Sequence, residues 1–277
     1  MNRRTAALSI AGSDSGGNAG IQADLRAFST FGVHGCTVIT ALTAQNPFGV
    51  NGVLSADGAF VRDQIDAVID CYDIRAVKTG MLCSSEIIES VADALTLHNR
   101  ILKVVDPVMV ATSGARLLED EAIDTIKMQL LPLADLITPN LPEAGILLER
   151  DIETEEDMLA GATELSERFG CSVLLTGGHS RTSAAKDLFV SAEETFRVES
   201  PLIEDPVSTH GTGCSLSAAI AASLACGSDL RDAVIEGKAY VYEAIRTGVY
   251  VGECVAVLGT PRSIPVEEMR IIKDGNL

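Results

Sequence analysis

Six short apolar runs, each ending in a polar or glycine-rich turn, constrain this chain more than any other feature. They read "AALSIAG", "TVITALT", "RAVKTGML", "LKVVDPVMV", "ADLITPN" and "CSVLLTGG". Between them lie helix-like stretches, such as Ile21, Leu25 and Phe28 at helical spacing and the pattern over residues 57–70. Near-continuous β-branched strands interleaved with helices predict a mainly parallel sheet covered on both faces. The expected fold is a doubly wound α/β domain with right-handed crossovers. The stretch "DLFVSAEETFRVES" predicts a small hairpin attached to it, and the last third, from Gly213 onward, reads as mainly helical. No repeat, low-complexity segment or linker interrupts the pattern, so one domain over residues 1–277 is expected.

In open α/β sheets, ligands bind beyond the carboxyl ends of the strands. There the chain carries "GSDSGGNAG", "TAQN", "TGM", "DP", "TPNLPE" and "TGGH", in strand order. A formal charge of −18 argues against nucleic acid and anionic membranes as partners. A phosphate-bearing substrate would need backbone amides or a cation to overcome that field. The longest apolar runs, such as "AAIAASLA", are too short to span a bilayer. The start, "MNRRTAALSIAGSDSGG", reads as a first buried strand rather than a signal peptide, and a cytoplasmic protein is expected. The seven cysteines are odd in number and form no C-x-x-C pair, which argues against a disulfide framework or a zinc site. Most sit among apolar neighbours as small hydrophobes. Cys214 is the exception.

Cys214 lies in "STHGTGCSLSAA", where a glycine-rich turn enters a helix whose buried face is marked by Leu216, Ile220 and Leu224. Free amides at a helix N-terminus favour anions, and a thiol there is expected to have a lowered pKa and to act as base or nucleophile. An ordinary glycine-led helix start explains the stretch equally well, and it lacks the Gly-Lys-Ser/Thr of a Walker A loop. "GSDSGGNAGIQADL" is a second small-residue turn before a helix, able to cradle a phosphate but departing from G-x-G-x-x-G. Its Asp14 and Asp24 read as cap or surface residues as readily as ligands. In "NLPE", Asn140 and Glu143 place two oxygen-bearing side chains within a turn, a pair able to position hydrated magnesium or simply to start a helix. His179 and His210 lie beside glycines without a third metal ligand.

Together the motifs resemble the hydroxymethylpyrimidine/phosphomethylpyrimidine kinases of thiamine biosynthesis, in the ribokinase superfamily. "AGSDSGGNAGIQADLRAFSTFGVHG", "VITALTAQN", "VKTGML", "VVDPVMVATSG", "TPNLPEA", "GGH", "THGTGCSLSAAIAA" and "KAYVYEAI" carry the resemblance over nearly the whole chain. It implies a ribokinase-like fold using ATP and Mg2+, commonly as a homodimer. It places Gly211, Thr212 and Gly213 in the anion hole for the transferred phosphoryl group, and Cys214 where most of the superfamily carries an aspartate base. Gln45 would hydrogen-bond the pyrimidine, with Met81, Val108 and the turn from Gly12 to Asp24 around the ring. Asp106, Asn140 and Glu143 would organise magnesium and phosphates, with Thr176 and Lys238 near the nucleotide. Three positions depart from the family pattern. Asn18 interrupts the first glycine turn, and Thr112 and Thr176 stand where lysine is common, leaving Arg116, Arg181 or Lys186 as substitutes for the missing cations.

The implied activity is ATP-dependent phosphorylation of the hydroxymethyl group of 4-amino-5-hydroxymethyl-2-methylpyrimidine, then of its monophosphate. Phosphoryl transfer relies mainly on positioning and charge stabilisation. A pyridoxine or pyridoxal kinase, a hydrolase with Cys214 as nucleophile and His210 as base, and a pyrimidine-binding protein without turnover are the alternatives.

Overall fold

This computed structural model describes residues 4–109, 118, 120–177 and 184–273. The chain opens with β1 (Ala6–Asp14), α1 (Gly20–Thr30), β2 (His34–Asn46), β3 (Gly49–Ser55), α2 (Gly58–Ile69), β4 (Ile74–Thr79), α3 (Ser85–Thr96) and β5 (Leu102–Val105). It continues through α4 (Asp120–Thr125), β6 (Leu136–Ile137), α5 (Leu141–Leu148), α6 (Glu155–Phe169) and β7 (Ser172–Thr176). The remainder is β8 (Ala184–Val190), β9 (Thr195–Pro201), α7 (Thr212–Cys226), α8 (Leu230–Arg246), β10 (Val249–Val251), β11 (Val255–Val257) and β12 (Arg270–Lys273). Ten strands join one sheet in the order β12-β9-β8-β7-β6-β5-β4-β1-β2-β3.

The six apolar runs of the sequence are the parallel strands β2-β1-β4-β5-β6-β7 at its centre. Successive strand residues point to opposite faces, and here both faces are buried. Leu8, Val77, Val105 and Ile137 join a core with α2, α3, α5 and α6. Their neighbours Ala7, Ala76, Val104 and Leu136 join a second core with α1, α7 and α8. Helix α7 is buried continuously from Ser215 to Ala225. Its alanines and serines let it lie flat on the sheet, and Gly237 of α8 leaves room for Ile220. The longer α6 is closed by a capping box, Thr154 with Asp157, and by Gly170 in the left-handed conformation.

The structure corrects the expected elements in three places. The "TAQN" segment lies inside β2, which runs on to Asn46 and folds back antiparallel as β3. The sequence hid β3 because its residues, "GVNGVLS", are mostly exposed and offer no apolar run. The 187–200 stretch is a hairpin as expected, but β8 pairs with β7, so it extends the main sheet. After α8 the chain returns to strands: β10 and β11 form a small ribbon, and β12 pairs with β9. Among the described residues, no helix is long and apolar enough to cross a membrane.

The topology fixes where a ligand can sit. From β1 the chain steps outward to β2 and then returns to β4 on the other side of β1. Such a reversal opens a crevice beyond the carboxyl ends of the strands.

Candidate active site

Two helix N-termini meet at that crevice. The turn between β1 and α1 is organised by Asp14, whose carboxylate accepts the N–H groups of Gly16, Asn18 and Ala19, each at 2.8 Å. Gly20 has φ +56°, and a Cβ on it would collide with the Gly12 carbonyl. Gly211, which starts α7 with φ +89°, packs so tightly on Asn18 that a Cβ would overlap the Asn18 carbonyl oxygen. Both glycines are therefore required for conformation and for close approach. Asn18 is buried without a positive φ, so its departure from the family's glycine run costs no backbone strain.

Cys214 sits in the first turn of α7, half-buried, with the Gly20 amide donating toward its sulfur. The expected lowering of its pKa does not occur in the ligand-free chain. Burial pushes the thiol up to about 11, opposed by Lys78 and the Gly20 amide and reinforced by Asp106 and Asp24. His210, the expected partner of a nucleophilic Cys214, donates its backbone N–H to Ser208 Oγ at 3.3 Å.

Asp24, expected beside the ring, has no exposed surface. Its carboxylate is held by Lys78 Nζ at 3.0 Å to each oxygen and by the Ser9 hydroxyl. Its side chain is thus turned inward, to Lys78 and Ser9. Lys78 was legible only as part of "VKTGML", where a lysine in an apolar strand gave no sign of its partner.

Asp106, just beyond β5, is buried and accepts a hydrogen bond from Ser217 Oγ of α7 at 3.0 Å. Glu143 and Asn140 form the capping box of α5: Asn140 Oδ1 accepts the Glu143 N–H at 2.9 Å, and Glu143 accepts the Asn140 N–H at 3.0 Å. Burial, then the Asp106 charge, pushes Glu143 up to about 8. Burial likewise raises Asp106. The only buried hydroxyls without a hydrogen-bond partner among the described residues, Thr79 and Thr138, end β4 and β6 on either side of β5. Two mutually repelling buried carboxylates flanked by unpartnered oxygens suit a hard cation. No three acidic, histidine or cysteine side chains gather at one point among the described residues. Magnesium takes one or two carboxylates and fills its shell with water and phosphate, so the Asp106–Glu143 pair is the part of such a site this chain could supply.

Of the residues expected around the ring, the structure brings Gly12 and Met81 into contact, since a Cβ on Gly12 would lie 2.5 Å from Met81 Cε. Thr40 Oγ1 fixes the Met81 backbone by donating to its carbonyl at 2.7 Å. Gln45 is tied to the first turn through Ser15, whose hydroxyl donates to the Gln45 carbonyl and accepts its N–H, both at 2.9 Å. Val108 is half-buried, two residues after Asp106, with its N–H donating to the Asp106 carbonyl at 2.8 Å.

Of the residues expected near the nucleotide, Thr176 ends β7 and donates its N–H to the Pro139 carbonyl at 2.9 Å. Lys238 is buried in α8, with Nζ 2.6 Å from Asp187 Oδ2. Asp187 also accepts the Gly177 N–H at 3.1 Å, so Lys238 is linked to the end of β7. Sequence reading missed Asp187, whose neighbours gave only a strand pattern. Lys186, the described candidate to replace a missing cation, lies 3.4 Å from Glu155 and 3.7 Å from Glu199. Thr112, Arg116, His179 and Arg181 lie outside the described residues.

The sequence model of the phosphomethylpyrimidine kinase family matches residues 14–258. A hydroxymethylpyrimidine/phosphomethylpyrimidine kinase of Rhizobium meliloti is 49% identical over 86% of this chain and 90% of its own. A thiamine biosynthesis bifunctional protein, ThiED, of Geobacter sulfurreducens is 45% identical over 90% of this chain, which spans 51% of that longer protein. Among solved structures, the Clostridium difficile 630 phosphomethylpyrimidine kinase superposes with TM-score 0.77 at 40% identity, covering 87% of this chain and all of its own. An ADP complex of Bacillus subtilis pyridoxal kinase superposes with TM-score 0.86 at 35% identity, covering 93% and 98%. With the fold, the motif order and these relatives in agreement, the chain belongs to the phosphomethylpyrimidine kinase family.

Proposed function

We propose that the chain is a single-domain, cytoplasmic, ATP-dependent kinase of thiamine biosynthesis. It phosphorylates the hydroxymethyl group of 4-amino-5-hydroxymethyl-2-methylpyrimidine and then adds a second phosphoryl group to the monophosphate. The observation that carries this reading is the convergence of the α1 and α7 N-termini on Cys214, facing the acidic pair Asp106 and Glu143. The amides of Gly211, Thr212 and Gly213 stabilise charge developing on the transferred group. Gln45, Met81 and Val108, with Gly12 at the back, border the ring. Asp106, Glu143 and Asn140 would hold Mg2+, which when bound would neutralise phosphate charge. Thr176 and Lys238 lie along the nucleotide.

Cys214, as its thiolate, takes the hydroxyl proton in the first step and becomes the thiol. Because burial disfavours its thiolate, that role depends on the groups that oppose the shift, Lys78 and Gly20. A coupled assay of ADP release with the hydroxymethylpyrimidine and its monophosphate tests the reading, and no turnover with either would refute it. Pyridoxal is the second candidate, favoured by the closer superposition on the Bacillus subtilis enzyme, and the same assay separates it. We also expect a homodimer through the exposed β2–β3 edge, where Leu42, Val53 and Leu54 face solvent. Light scattering that gives a monomer mass would contradict it.

A further inference from the structure

The pleat continues a polar row where the second core ends. Ala7, Ala76 and Val104 face α1, α7 and α8, and two residues further along each strand on the same face stand Ser9, Lys78 and Asp106. Ser9 and Lys78 are direct partners in the parallel register of β1 and β4. Lys78 has no exposed side-chain surface, and neither has Asp24. A Cβ on Gly80 would lie 2.9 Å from Lys78 Nζ, so the ammonium curls back toward the carboxyl end of its own strand. Asp106 is joined to α7 one turn beyond Cys214 through Ser217. Lys78 thus lies under the helix that carries Cys214.

The charges here are unbalanced. Asp24, Asp106 and Glu143 are buried carboxyl groups, while the other buried lysines serve elsewhere: Lys238 pairs with Asp187, and Lys103 donates to the His98 and Ile101 carbonyls. Burying an ion pair is weak evidence of a stability role, since well-packed apolar replacements are often neutral or stabilising. Burial works against the Lys78 charge, but Asp24, then Cys214 and Asp106, hold it above the ordinary lysine range.

We propose that Lys78 is a positioning residue for Cys214: its ammonium, fixed by Asp24, which Ser9 holds in turn, supplies the buried positive charge that lowers the cost of a thiolate at Cys214. The inference rests on the reading of Cys214 as the base of the first step. Asp24 then has a second role, because it takes up part of the Lys78 field that would otherwise act on the sulfur. Arg26 of α1 acts on Asp24 from the far side.

The test compares K78M/D24N, which removes both charges while the introduced carboxamide keeps an acceptor for Ser9, with D24N, which leaves Lys78 unshared. Iodoacetamide labelling of ligand-free protein is followed on the Cys214 peptide by mass spectrometry, at one neutral pH, with circular dichroism melts to establish folding. Labelling is expected to fall about tenfold or more in K78M/D24N, the equivalent of one pKa unit, and to rise in D24N. The first phosphorylation should follow the same order through kcat, with the ring KM changed little. Equal labelling of wild type and folded K78M/D24N, or a fall in both variants alike, overturns the proposal. Labelling that follows Lys78 while the first-step rate stays constant upholds the Lys78 assignment and refutes the base reading of Cys214. If K78M/D24N does not fold, K78R replaces it: restored labelling upholds the charge, and labelling lost despite a retained cation overturns it.

Discussion

The carbonyl oxygen of Asn18 occupies the space a side chain on Gly211 would need, so the first turn and the anion loop are built as one unit. Gly211 also holds φ +89°, which β-carbon-bearing residues rarely adopt. Gly211→Ala should therefore separate the α1 and α7 N-termini. Both phosphorylation steps are expected to lose about 10²–10³-fold in kcat, the scale for loss of an oxyanion-type donor, with a melting temperature lower by a few degrees. Wild-type rates for both steps would show that the loop does not meet the transferred group.

Gln45→Leu should raise the KM for the pyrimidine and leave that for ATP nearly unchanged. A ring edge left without its amide partner loses on the order of 1–3 kcal/mol. The backbone tie of Gln45 to Ser15 does not involve its side chain, so the substitution leaves the turn intact. Equal effects on both substrates would mark the residue as structural.

Glu143→Gln tests the cation site. The Glu143 carboxyl has its ordinary value of 4.5 when unfolded and is pushed up to about 8 by burial and Asp106 when folded. Between those values the folded chain binds a proton that the unfolded chain does not, so stability falls as pH rises from about 4.5 to 8 and then levels. In EDTA, wild-type melting temperatures should drop relative to Glu143→Gln across that window, since glutamine still accepts the Asn140 N–H. Millimolar Mg2+ should recover the wild type by a few degrees, about 1 kcal/mol or more on this scale, and the variant by less. Parallel melting curves at every pH, with identical Mg2+ responses, would remove Glu143 from the site.

Thr176→Lys should tighten ATP binding by restoring the cation common in the family at the end of β7. Lys186 is drawn toward Glu155 and Glu199, at 3.4 and 3.7 Å. Titration with ATP followed calorimetrically is expected to show a severalfold lower Kd, and unchanged or weaker binding would show that the β7 end does not reach the phosphates.

The sheet was legible because six β-branched runs had to be buried on both faces, and nothing else hides that many apolar residues in segments so short. The glycine turns were legible because Gly20 and Gly211 serve backbone contacts that no other residue permits. Strands β3 and β12 were hidden: one is exposed along its length and the other, "RIIK", has two apolar residues between cations. The burial of Asp24 was hidden for a different reason. Its place beside the first turn suggested the ring, but helical geometry turns its side chain inward to Lys78, remote in sequence. The proton affinity of Cys214 was equally out of reach, because it is set by burial and by Lys78, Asp106 and Asp24, which three different elements bring together.

As the proposed base, Cys214 should serve the alcohol step and not the phosphate step. A hydroxymethyl group needs its proton removed, whereas the monophosphate already presents an anionic oxygen. The decisive measurement is kcat for each step separately, at saturating ATP, in wild type, Cys214→Ala and Cys214→Asp. General base catalysis is typically worth about 10²–10⁴-fold. Cys214→Ala should lose a factor in that range in the first step and clearly less in the second, and Cys214→Asp should regain part of the first. Equal losses in both steps would contradict the account and leave Cys214 as a packing residue of the anion loop.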